Sequence, residues 1–219
     1  MIDFNRVQSI TVPEGEVAIV TVGSEIRWAK QSSRLPSEYQ EVPYIQSTGK
    51  QYIDTKIVNT ATDTIVLQFD VSYDTVSLTN QLMGFTGNNG NAVGITSNRW
   101  FEASSLPAAT VGTRYFVEYG VTGNQIYRTV NGTTVTGTRS PYNYTTNLLL
   151  FAVLSARGST TISHYCRCKM YSAKVIVNGD VVADFVPCYR KSDGKPGLYD
   201  LMGESFFVNA GTDDFIYEV

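Results

Sequence analysis

The chain has 219 residues, of which 42% are hydrophobic and 17% charged, with a net charge of -3. That hydrophobic fraction excludes a disordered polypeptide, and a chain of this length buries one sizeable core or one core with a small appendage. The 17 Lys and Arg are scattered singly, so no field gathers nucleic acid, and no apolar run approaches the roughly 20 residues needed for membrane insertion.

In chain order, the opening MIDFNRVQSI has neither the basic start nor the apolar stretch of a signal peptide, so synthesis in a bacterial-type cytoplasm without secretion is expected. Residues 1–30 read as a small β-module. Its three short strands are Ser9 to Pro13, Glu16 to Val22 and Glu25 to Ala29, reversed at Glu14-Gly15 and Gly23-Ser24. Three strands of this length bury too little surface to stand alone, so the module is expected to dock on the main domain, a neighbouring subunit or a larger assembly. Residues 31–36 form a polar linker.

Residues 37–219 then read as strands separated by closely spaced turn signals, the rhythm of an all-β antiparallel sandwich. The expected strands include Tyr44 to Ser47, Gln51 to Thr55, Thr64 to Tyr73, Gln81 to Thr86, Ala92 to Thr96 and Arg99 to Ser104. They continue with Arg114 to Thr122, Gln125 to Val130, Thr133 to Thr138, Leu148 to Ser155, Tyr165 to Val177 and Val181 to Tyr189. Gly123-Asn124, Asn131-Gly132 and Asn178-Gly179 are hairpin signals. Ser192-Asp193-Gly194 and Lys195-Pro196-Gly197 read as turn clusters before short strands at Leu198 to Leu201 and Phe206 to Val208. The run from Leu148 to Leu154 is nearly unbroken apolar sequence, as expected of a strand buried between two sheets.

Two segments carry a resemblance. LPSEYQEVPYIQSTGKQYIDTKI, from Leu35, and KMYSAKVIVNGDVVADFVPCYRKSDGKPGLYDLMGESFFVNAGT, from Lys169, resemble the opening and closing segments of concanavalin A-like (laminin-G-like) jelly-roll domains. Such domains recur in phage and prophage structural proteins and in surface proteins of gut bacteria. ITVPEGEVAIVTVGSEIRWA, from Ile10, resembles the short β-modules at the ends of phage tail and appendage proteins. The resemblance implies a virion or tail-appendage protein whose lectin-like domain binds a bacterial or host glycan. Weak sites of that kind gain avidity by repetition, which makes a homo-oligomer such as a trimer the natural expectation. Two other readings stay open: a decoration protein that binds other virion proteins, and a bacterial surface carbohydrate-binding domain.

The residues that carry chemistry point to binding rather than catalysis. Related jelly rolls that hydrolyse glucans carry paired carboxylates on one strand, because one acid protonates the leaving oxygen while the other attacks or activates water. Glu102 and Glu118 stand alone on their strands, and the one histidine, His164, has Ser163 beside it but no nucleophile elbow. An enzyme is therefore not expected. Sugars are held by planar amides and carboxylates together with an aromatic face. Asn88, Asn89 and Asn91, near Trp100 and Phe101, supply both kinds of group, and Tyr142 and Tyr144 offer a second combination. No cofactor is expected. Asp63, Asp70, Asp74, Asp193, Asp213 and Asp214 are too dispersed for a calcium loop, although a calcium site assembled from distant loops stays open. Cys166, Cys168 and Cys188 are expected as free thiols, with a disulfide to Cys188 the alternative.

Overall fold

β-branched and aromatic residues between glycine and asparagine turns favour pleated strands over helix, and the described residues form strands. The computed structural model describes residues 19–22, 25–29, 34–59, 63–78, 81–86, 91–100, 105–138, 146–156 and 159–219. Among them there is no helix, and so none long and apolar enough to cross a membrane. In chain order the strands are β1 (Ile19–Val22), β2 (Glu25–Ala29), β3 (Tyr39–Glu41), β4 (Ile45–Thr48), β5 (Ile53–Asn59), β6 (Ile65–Tyr73) and β7 (Gln81–Thr86). Then come β8 (Asn91–Thr96), β9 (Arg99–Trp100), β10 (Arg114–Thr122), β11 (Gln125–Val130), β12 (Thr133–Thr138), β13 (Thr146–Leu150) and β14 (Val153–Leu154). The last are β15 (Ile162–Ser163), β16 (Arg167–Val177), β17 (Asp180–Arg190), β18 (Lys195–Asp200), β19 (Ser205–Val208) and β20 (Ile216–Tyr217).

The chain divides into two units, Met1–Pro36 and Ser37–Val219. In the first, β1 and β2 pair as an antiparallel hairpin with an irregularity between Val20 and Thr21. The strand expected at Ser9 lies outside the described residues. In the second, one sheet has eleven strands, ordered β12-β11-β10-β6-β16-β17-β18-β19 with β3, β4 and β20 attached at its side. The other has seven, ordered β15-β14-β7-β13-β5, with β8 and β9 continuing from β7.

The two sheets share one core and form a β-sandwich. Leu67, Phe69, Tyr119 and Val175 from the larger sheet pack in the same cluster as Phe85, Ile95, Leu148 and Leu150 from the smaller one. Burying each such side chain stabilises the fold by about 1.5–3 kcal/mol. Leu82, Ala92 and Val153 form a separate buried cluster. Leu82 and Ala92 alternate along their strands with the core residues Met83 and Val93, which puts them on the other face of the seven-stranded sheet.

Two expectations are corrected by local backbone, and a third strand carries an irregularity. The apolar run at Leu148 is not one strand: Phe151 has φ 66, so β13 ends at Leu150 and β14 starts at Val153. A positive φ is costly for a bulky residue; Phe151 is held there by its carbonyl, which accepts the Cys166 N–H at 2.8 Å. Lys195-Pro196-Gly197 is the start of β18 rather than a turn. Proline is tolerated because β19 pairs only Gly197 to Asp200, leaving the nitrogen of Pro196 with no ladder partner on that side. In β16 the simple alternation fails at a bulge between Met170 and Ser172. Met170 and Ala173, three apart, are consequently both in the core.

All three cysteines are free and buried. Burial pushes the Cys188 thiol up to about 12 and raises that of Cys168 well above its ordinary value, with Cys166 adjacent. The disulfide alternative is not formed.

Candidate functional site

The opening and closing segments that carry the resemblance meet in space. Asn209 Oδ1 accepts the Tyr52 N–H at 3.0 Å and the Gly211 N–H at 2.8 Å, and the Ala210 N–H donates to the Tyr52 carbonyl at 2.9 Å. Buried Gln51 completes the clasp. Its Oε1 accepts from the Thr48 N–H at 2.8 Å and the Ser47 hydroxyl at 3.1 Å, and its Nε2 donates to the Asp214 carbonyl at 3.1 Å. Gly211 must be glycine because a methyl group there would come within 2.2 Å of the Lys50 carbonyl. These bonds fix both backbone groups of Tyr52 and so its place at the head of β5.

Two residues on, β5 leaves regular pairing. Leu149 of β13 opposes Asp54 and Asn147 opposes Val58, so three residues of β5 face one of β13. The bulge is held by side chains. Thr55 Oγ1 donates to the Leu148 carbonyl at 2.9 Å and accepts the Ile57 N–H at 3.2 Å. Asp54 Oδ1 accepts the Lys56 N–H at 3.1 Å, which supports Lys56 at φ 61. This brings Asp54 against Asn147, whose Nδ2 donates to the two carboxylate oxygens at 2.9 and 3.2 Å. The Lys56 ammonium, 73% exposed, lies 2.6 Å from Asp54 Oδ2.

Around this pair opens a groove of about 470 Å³ lined by Tyr52, Asp54, Thr146, Asn147, Leu149, Leu154, Ser159, Thr160 and Ile162. Its far wall is the segment around β15, tied by the Ser155 and Ser159 hydroxyls at 2.9 Å and by Thr161 N–H to Ser159 Oγ at 2.9 Å. Behind Tyr52 stands Tyr165, edge-on at 6.2 Å between ring centroids; burial, with Tyr52 beside it, raises its hydroxyl above the ordinary tyrosine range. The site thus presents a carboxylate and an amide locked together, a tyrosine, hydroxyls and an aliphatic wall. Asp54 is the one carboxylate among the described lining residues. No three His, Cys, Asp or Glu side chains among the described residues gather as a metal-ion cage.

Of the residues expected from sequence, Asn88, Asn89, Tyr142 and Tyr144 lie outside the described residues, as does Phe101. Asn91 opens β8, its backbone opposite Thr86. Trp100 is 2% exposed and meets Tyr73 and Tyr115 edge-on at 6.1 and 5.3 Å between centroids. A ring so buried has no face to offer a sugar, so Trp100 is corrected to a core residue. His164 follows β15 at φ 54, bonded through Nδ1 to the Ser163 hydroxyl at 2.7 Å.

Sequence reasoning missed Tyr52, Asp54 and Asn147. Part of the signal was present, since Tyr52, Asp54 and Lys56 alternate with Ile53, Thr55 and Ile57 as the outward set of a strand. What brings in Asn147 is a pairing across 93 residues of sequence, which no local pattern announces. No protein-family model matches this chain, and no curated protein sequence matches it.

Proposed function

We propose that this protein is a non-enzymatic, lectin-like sandwich of the concanavalin A-like jelly-roll type, a phage or prophage virion or tail-appendage component that binds a bacterial surface glycan. The observation that carries the binding reading is the Asp54–Asn147 pair beside Tyr52, in a groove otherwise lined by hydroxyls and aliphatic side chains. An amide and a carboxylate held together can bond neighbouring sugar hydroxyls, while tyrosine and leucine cover the ring's C–H surface. Hydrolysis of a glycosidic bond ordinarily takes two carboxylates, which is why the groove reads as a binding site. The virion assignment rests on the resemblance of the two end segments and of the N-terminal module.

The test is a screen of the purified chain against bacterial surface polysaccharides, with and without calcium, followed by calorimetric titration of any hit. Hydrogen bonds to a charged group contribute about 1.5–3 kcal/mol. Asp54→Ala and Asn147→Ala are therefore each expected to weaken binding by at least tenfold with the fold retained. Silence across the screen would sink the glycan reading and leave the decoration role, in which the sandwich meets only other virion proteins.

A further inference from the structure

The outward face of the eleven-stranded sheet carries an aromatic ring in an unusual setting. Tyr127 of β11 stands opposite Gly120 of β10, and a methyl group at Gly120 would come within 1.8 Å of the tyrosine ring. The ring therefore lies over the glycine, with its edge and inner side on the backbone and its other side turned outward. A glycine inside a strand costs about 0.5–1 kcal/mol relative to alanine, and what it permits here is this close seat for the ring. Partial burial raises the pKa of the Tyr127 hydroxyl, and its bond to Glu118 adds to the rise. Gln68 Nε2 donates to Glu118 Oε2 at 2.8 Å.

On the same outward side of β10, four residues before Gly120, Phe116 is 46% exposed. At about 3.3 Å per residue the two positions are roughly 13 Å apart, longer than one pyranose ring. Of the charges nearby, Arg114 grips Asp70 through two bonds of 2.6 and 2.7 Å, while the Glu118 carboxylate is bonded by the neutral Gln68 and Tyr127. The face thus presents two aromatic platforms separated by an amide and a carboxylate already joined in one polar strip of negative sign.

We propose that Tyr127 and Phe116 form a second carbohydrate surface, which stacks on the C–H faces of a neutral polysaccharide while Gln68 and Glu118 bond its hydroxyls. The occupant follows from the chemistry on the face. Two separated apolar rings flanking a polar strip match a chain that alternates C–H faces and hydroxyl edges, and the Glu118 carboxylate repels an acidic polymer. The inference rests on the glycan-binding reading above and adds a surface on the opposite sheet, away from the groove's residues.

The experiment is affinity electrophoresis of the whole chain in gels containing soluble β-glucan, xylan or dextran, with co-sedimentation on insoluble chitin and cellulose. At least one probe is expected to bind, with affinity reduced at least tenfold in the Phe116→Ala/Tyr127→Ala double variant. Phe116→Ala alone, at an exposed position, is expected to lose several-fold with an unchanged melting curve. Tyr127→Phe, which keeps the ring, should lose less than twofold. Asp54→Ala run beside them separates the two surfaces: loss only in Asp54→Ala overturns the second surface and leaves the groove. Loss only in the face variants supports the second surface without the groove. Binding undiminished in all variants, no binding to any probe, or self-association abolished by Phe116→Ala in place of polysaccharide binding would each overturn the proposal.

Discussion

Trp100 contributes to packing through a ring that is 2% exposed, and its Nε1 has no hydrogen-bond partner among the described residues. Removing a buried tryptophan to alanine costs about 3–5 kcal/mol. Trp100→Ala is accordingly expected to lower the denaturation midpoint sharply, and any loss of ligand binding would follow from unfolding. Trp100→Phe keeps much of the volume and removes an unpaired buried donor, so it should cost less than about 1.5 kcal/mol. Equilibrium urea unfolding of both variants checks this, and a stable Trp100→Ala protein would return the indole to the surface. Asp54 is the opposite case. Its partners are Asn147, a backbone N–H and an exposed lysine. Exposed ion pairs contribute about 0–1 kcal/mol, so changing Asp54 should register in binding far more than in stability.

At the scale of elements, the two segments that resemble a family are a structural clasp, and the clasp sets the site. Asn209 holds the Tyr52 and Gly211 N–H groups through one oxygen. Asn209→Ala leaves both without that acceptor, at an expected cost of about 2 kcal/mol. It should also weaken ligand binding at the groove without lining it. Chemical denaturation and titration of this variant with the same ligand measure both effects, and full affinity despite lost stability would show that Tyr52 is placed by other contacts. The elements themselves were largely legible in sequence. Gln81–Thr86, Arg114–Thr122, Gln125–Val130 and Thr133–Thr138 occur as expected, because Asn-Gly and Gly-Asn turns fix hairpin ends and β-branched runs fill them. What escaped was irregular backbone: the extra residues at Thr55 to Ile57, the break at Phe151 and the bulge after Met170. A bulge adds a residue without changing composition, so it leaves no periodic trace. The groove was illegible for the same reason, since it depends on one bulge and one long-range pairing.

For the whole molecule, the sandwich encloses acidic groups that must stay neutral. Burial pushes Cys188 up to about 12, and partial burial with the Glu118 hydrogen bond pushes Tyr127 to about 12. Burial also raises Cys168 and Tyr73 well above their ordinary values. A thiol or phenol with a folded pKa above its unfolded value favours the folded state fully while both forms are neutral, below about pH 8.5 for a thiol and about pH 10 for a phenol. Above those values the unfolded chain loses protons that the folded chain retains, so stability falls as pH rises towards the folded values. Stability from these groups should therefore be flat between pH 6 and 8 and fall between about pH 9 and 12, since each pKa unit corresponds to about 1.4 kcal/mol. The three thiols should resist a disulfide reagent at pH 8 in the native protein and react at once in urea. Thermal melts across this range test the slope, and Cys188→Ser tests its source. Serine does not titrate there, so the variant, though less stable overall, should lose less with rising pH than the parent chain. An identical alkaline slope in both proteins would show that Cys168 and the tyrosines carry it.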